Sequence, residues 1–162
     1  MADCVFARRR TQGKKTVELK LIPTSFTTSG LGYINNADRA LTDTTSTLYA
    51  TFKCDYQISV QAYLSFDTSS IPSDAVIESV VLKVKLGKRA GVTAKTRPYS
   101  SSYAPYSYTS ISSTSGTVYT FSGQTYTLAQ LSATQIEVYM SVQYQGDYVT
   151  VYGAEINITY TI

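Results

Sequence analysis

The sequence predicts an all-β protein, a two-sheet antiparallel β-sandwich with an extended basic N-terminal arm. Apolar side chains recur with period two over several separate runs, the spacing that turns one face of a strand toward a core. Charged residues make up 15% of the chain, where about 25% is ordinary. Polarity comes instead from Ser, Thr and 15 Tyr, and hydroxyl-bearing and aromatic side chains suit pleated, half-buried surfaces. No stretch longer than a single turn carries an amphipathic helical repeat.

The chain opens with charge. Residues 1–20 hold Arg8, Arg9, Arg10, Lys14, Lys15 and Lys20 against Asp3 and Glu18, a net +4, while the other 142 residues sum to −1. Arg8, Arg9, Arg10, Lys14 and Lys15 are therefore the candidate docking and assembly residues, because a basic arm on a near-neutral body suits an acidic protein surface. A free nucleic-acid binder would spread its basic face over the folded domain, so nucleic acid is not the expected partner. The plain alternative is a solvated leader. One domain is expected over residues 16–162, with residues 1–15 as the arm.

Val17, Leu19 and Leu21 alternate with Glu18, Lys20 and Ile22 in the first strand, which Pro23 closes. Thr24–Thr45 reads as an irregular Gly/Asn/Asp-rich connection. Strands are predicted near Thr47–Phe52, Ile58–Phe66 and Val76–Leu86, the last with Val80, Leu82, Val84 and Leu86 on one face. Lys85 to Lys88 and Arg89-Ala90-Gly91 then read as a hairpin loop into Val92–Arg97. Tyr99–Ser115, with Pro105, reads as a long ordered surface loop. Its tyrosines Tyr99, Tyr103, Tyr106 and Tyr108 form the candidate ligand or interface loop.

A strand follows at Thr117–Phe121, and Thr127 caps a short helical turn over Leu128–Leu131. Ile136, Val138, Met140 and Val142 alternate in the next strand. Tyr148–Tyr152 and Glu155–Ile162 form the last, with Gly153 marking a bulge or kink. Eight or nine short strands joined by uneven loops favour a jelly-roll-like sandwich over an up-and-down barrel.

Little in the chain points to catalysis. The sequence contains no His, so Ser-His-Asp and Cys-His arrangements are excluded, while Asp, Glu or Lys chemistry stays open. Gly30-Leu31-Gly32 has no helix after it and is not a dinucleotide fingerprint. The expectation is no enzyme, no cofactor and no metal. Cys4 and Cys54 are expected as reduced thiols, a bridge between them being the alternative. The first residues lack an apolar run of signal-peptide length, and no run is long enough to span a membrane, so secretion and membrane partnership are not expected.

The stretch Phe66-Asp67-Thr68-Ser69-Ser70-Ile71-Pro72-Ser73-Asp74-Ala75-Val76-Ile77 makes a Ser/Pro/Asp corner between two strands, with Pro72 ending the first and Asp67 and Ser70 bonding turn amides. It resembles the corner of carbohydrate-binding-module-like sandwiches in secreted bacterial and archaeal surface proteins. Three patches in order, Tyr49–Phe52, Ile71–Ile77 and Tyr152–Tyr160, resemble jelly-roll virion proteins of tailed phages from Gram-positive hosts. That likeness spans roughly residues 45–162. It implies a non-catalytic structural protein of the virion, a capsid decoration or accessory protein of head or neck. Such a protein is made in the host cytoplasm, docks on the major capsid or another virion protein through its arm, and forms homo-oligomers. The first resemblance implies the alternative, a carbohydrate-binding module for a cell-surface glycan.

Overall fold

The computed structural model describes residues 13–102 and 106–162. Cys4, Arg8, Arg9, Arg10 and Tyr103 lie outside the described residues. In chain order the strands are β1 (Thr16–Leu21), β2 (Pro23–Ser29), β3 (Tyr33–Asn35), β4 (Ala50–Lys53), β5 (Ser59–Phe66), β6 (Val76–Lys88), β7 (Thr93–Tyr99), β8 (Thr109–Ser110), β9 (Thr117–Phe121), β10 (Gln135–Ser141) and β11 (Tyr148–Thr161). A 3-10 turn, Ala37–Ala40, follows β3, and a short helix α1, Leu128–Ser132, precedes β10. One sheet runs β3-β4-β11-β6-β9 with β1 also paired to β11; the other runs β2-β5-β10-β7-β8. Every pairing is antiparallel. The expected two-sheet sandwich is what the chain forms.

Alternation builds the core. Val60, Ala62 and Leu64 of β5, Val80, Leu82, Val84 and Leu86 of β6, and Ile136, Val138 and Met140 of β10 are each at most 2% exposed. Burying one side chain of Val, Leu or Ile size stabilises by about 1.5–3 kcal/mol before the entropy of ordering is subtracted. Helix α1 is capped as the sequence predicts. The Gln130 amide donates to Thr127 Oγ1 at 3.2 Å and the Thr127 amide to Gln130 Oε1 at 2.8 Å, a reciprocal capping box.

The last strand is continuous, and Gly153 is its phase switch. Before it Val149 and Val151 face the core; after it Ala154, Ile156, Ile158 and Tyr160 do. The register against β6 steps from Val151↔Leu86 to Gly153↔Lys85, leaving Tyr152 as the extra, bulged residue. One edge of β11 takes β4 up to Val151 and β1 from Ile156 onward. The gap between them is filled by loop backbone, where the Ala154 amide donates to the Thr42 carbonyl at 2.9 Å.

Several sequence expectations are corrected. Pro23 does not end the strand system: it begins β2 in the opposite sheet, where its missing N–H is tolerated at the start of an edge strand. Thr24–Thr45 therefore contains β2 from its second residue on, β3 and the 3-10 turn; their Ser/Thr-rich sequence, with Phe26 the buried residue of β2 after Pro23, hides the alternation. The Lys88–Gly91 turn does not close a hairpin. It passes from one sheet to the other, because β6 already has β11 and β9 on its two edges. Residues 47–49 precede the strand that was expected to include them, and β4 is Ala50–Lys53. Tyr99 ends β7, and Thr109–Ser110 adds to that strand's edge, so the expected loop is shorter. At the corner β5 ends at Phe66, as its predicted span Ile58–Phe66 has it, and Pro72 lies in the turn beyond rather than ending the strand itself; Asp67 Oδ1 accepts the Ser69 amide at 2.8 Å, and Ile71 plugs the end of the core. Cys54 is a fully buried free thiol.

Candidate functional site

The polar parity of the second sheet collects its most distinctive side chains on one outer face. In β10, Ile136, Val138 and Met140 turn inward, so Glu137 and Tyr139 turn outward. Register then places Tyr63 and Arg97 on either side of Glu137, and Gln61 and Lys95 on either side of Tyr139. Tyr108 arrives from the segment just before β8 and lies over the same strands.

Glu137 anchors the face. It is 2% exposed, and a carboxylate removed from water needs full compensation. Arg97 supplies it with Nε and Nη2 each 3.0 Å from Oε2, and the Tyr108 hydroxyl donates to Oε1. The Arg97 guanidinium also lies 4.0 Å from the Tyr108 ring centroid and 5.5 Å from that of Tyr99. Lys95 Nζ sits 4.0 Å from Tyr108 and 4.5 Å from Tyr139, distances at which a cation is attracted to the ring quadrupole. Tyr63 and Tyr99 rings are 5.4 Å apart, and Tyr139 and Ser59 share a hydroxyl hydrogen bond of 2.6 Å.

Burial, and then the bond to Glu137, push the Tyr108 phenol far above its ordinary value; burial and the charge of Glu137 raise Tyr63 as well. Of the two, Tyr108 is the one whose hydroxyl donates to the Glu137 carboxylate. Glu137 accepts from Arg97 on one oxygen and from Tyr108 on the other, and so ties both side chains to β10. The outer face thus gathers the rings of Tyr63, Tyr99, Tyr108 and Tyr139 around the cations of Lys95 and Arg97 and the Glu137 carboxylate.

The candidate tyrosines of the loop divide. Tyr99 and Tyr108 reach this face, whereas Tyr106 packs on the core side, its ring near-parallel to that of Tyr126 at 6.0 Å. Sequence reasoning missed Tyr63, Lys95, Arg97, Glu137 and Tyr139. The signal was present for Tyr63, Glu137 and Tyr139, which lie on the polar parity of strands whose other parity is apolar; in β7 the inward Thr96 blurs it for Lys95 and Arg97. Of the candidate docking residues, Lys14 and Lys15 are exposed immediately before β1, where the Lys15 and Ile162 backbones exchange two hydrogen bonds. Among the described residues no group of three His, Cys, Asp or Glu side chains is placed to hold a metal ion.

A second polar cluster lies on the outside of the other sheet and clamps the loop that fills the gap in β11. Lys20 Nζ meets Asp43 Oδ2 at 2.7 Å, Thr44 Oγ1 donates to Glu155, and Lys83 pairs with Glu155 at 3.3 Å. The hydrogen bond from Lys20, reinforced by two from Thr45, holds the Asp43 carboxyl well below the usual carboxylate range. A carboxyl depressed in the folded state stabilises above its unfolded value, about pH 4, and loses that contribution as pH falls toward the folded one. Wild-type protein is thus expected to exceed Asp43→Asn in stability at neutral pH. The gap should begin to shrink below about pH 4 and vanish in strong acid, as followed by urea unfolding across a pH series; a pH-independent gap would contradict this.

No protein-family model matches the chain, and no curated protein matches it.

Proposed function

We propose that this chain is a non-catalytic structural protein of a tailed-phage virion, a decoration or accessory protein of the head or neck. It docks on the major capsid or another virion protein through its basic arm and displays the sandwich outward. The observation that carries this reading is where the three resembling patches fall. Tyr49–Phe52 runs into β4, Ile71–Ile77 leads into β6, and Tyr152–Tyr160 lies in β11. Strand β11 pairs with both of the others, and the Tyr49 and Tyr152 rings meet at 5.1 Å. Patches far apart in sequence thus converge on one structural unit, as a shared fold requires and as chance likenesses need not.

The arm's departure point supports the docking role. Lys14 and Lys15 are exposed immediately before β1, so their charge is presented to a neighbouring subunit. Removing residues 1–15 is expected to leave a folded, soluble sandwich that no longer co-sediments with particles, and retained particle binding would defeat the docking role. Immunogold electron microscopy with antibody against the protein tests the location. Gold on heads or necks supports the reading, and unlabelled particles overturn it.

A second reading, attachment to a cell-surface glycan, is favoured by the Tyr63–Tyr99–Tyr108–Tyr139 face. Its weakness is that Lys95 and Arg97 already lie against Tyr108, which leaves less ring surface for a sugar.

A further inference from the structure

We propose that β1 is a self-recognition edge, through which two copies of this chain pair antiparallel and join their β1-bearing sheets into one. The proposal does not rest on the virion reading, which calls for self-association without naming a surface. Among the described residues strand β1 pairs with β11 alone, and nothing bonds its other edge. The direction of that edge follows from register. Lys15 and Ile162 exchange both backbone hydrogen bonds, so Val17, Leu19 and Leu21 also bond inward to β11, and Thr16, Glu18 and Lys20 aim their N–H and C=O groups outward.

Charge then selects the partner and the register. An antiparallel second copy must match outward-bonding residues with outward-bonding residues. Centring the pair on Glu18 or on Lys20 would set like charges directly opposite, which is destabilising. Centring it on Leu19 sets each Glu18 opposite the other copy's Lys20, twice, about a two-fold axis, which is the self-complementarity an isologous dimer requires. The same register places Leu19 against Leu19 and Val17 against Leu21. Those three side chains are only partly buried in the single chain, and pairing would cover them further. Glu18 has no ion-pair partner among the described residues, whereas Lys20, half exposed, already meets Asp43. An edge strand of six residues left open is otherwise a liability; here its charges are arranged to accept its own copy.

The test uses the full chain in sedimentation velocity, with circular dichroism confirming the fold of each variant. Wild type is expected to dimerise, and Glu18→Lys and Lys20→Glu to weaken self-association by about tenfold or more, each now facing like charges. Mixed one to one, the two variants should restore the dimer, since each supplies what the other lacks. Should Lys20→Glu fail to fold through loss of Asp43, Leu19→Cys in a Cys4→Ser background gives an independent reading. The Leu19 pair spans a non-hydrogen-bonded site of about 4.5 Å between Cα atoms, within disulfide reach, so oxidation should yield a covalent dimer, while Glu18→Cys should not. A monomeric wild type, as when the chain's own leader covers the edge, overturns the proposal. So does a dimer indifferent to both charge reversals, or a Leu19→Cys chain that stays uncrosslinked.

Discussion

Replacing Gly153 by Ala is expected to cost about 3 kcal/mol of stability, as overpacking against unyielding atoms does. A Cβ there would lie 2.3 Å from the Asp43 carbonyl oxygen, 2.6 Å from that of Thr42 and 3.0 Å from the Asp43 carbonyl carbon. All three are backbone atoms, so no side chain can rotate away. Relief requires the 42–43 segment to retreat, and retreat breaks the Ala154–Thr42 hydrogen bond that completes the edge of β11. It also pulls Asp43 from Lys20 and Thr44 from Glu155, leaving Glu155, 7% exposed, with fewer donors. For a chain of this length the loss corresponds to a fall of roughly 10 °C in the unfolding midpoint. Chemical denaturation of Gly153→Ala beside wild type checks it. A loss below about 1 kcal/mol would mean that the loop moves aside freely and that the gap in β11 needs no filling.

Gly153 also illustrates how much of the fold is readable from sequence. A glycine interrupting a clean alternation announces a bulge, and the bulge is there. What sequence does not reveal is the reason for glycine, since the atoms that exclude a Cβ belong to residues more than a hundred positions away. The long central strands β6 and β10 read directly, because full burial of one parity demands an unbroken apolar series. The edge strand β2 does not. One of its inward positions is Thr28, whose hydroxyl is satisfied by the Gln61 carbonyl at 3.0 Å, so its pattern looks like loop. The Lys88–Gly91 turn fails for another reason. A tight turn serves a hairpin and a sheet-to-sheet crossing equally well, and the choice lies with β9 and β11, which occupy the edges of β6.

The outer face of the second sheet was legible in its parts and not in its assembly. Tyr99 and Tyr108 stand out in a Tyr-rich stretch, but Glu137 sits in β10 between Ile136 and Val138, where a lone acid reads as an exposed strand residue. Only the register of β10 against β7 brings Arg97 to it, and that register is a tertiary fact. Arg8, Arg9 and Arg10 are legible as charge alone.

Removing Arg97 is the sharpest probe of that face, because it separates tether from decoration. The Arg97–Glu137 pair is almost wholly out of water, with side-chain exposures of 16% and 2%. Breaking such a pair from one side leaves a buried charge uncompensated, and Arg97→Met is expected to destabilise by about 3 kcal/mol or more. Tyr108→Phe, which removes one donor and keeps the ring, should cost about 1–2 kcal/mol. The double variant Arg97→Met with Glu137→Met should recover most of the loss, since two packed apolar side chains carry no stranded charge. A face that merely decorates the surface would behave differently: Arg97→Met would cost well under 1 kcal/mol, as exposed ion pairs do, and the second substitution would restore nothing. Urea unfolding of the four proteins decides between them. The expected pattern would also mean that Tyr108 is held in place by the sheet beneath it, so any partner or glycan meeting this face meets a pre-set surface rather than a loop it must first order.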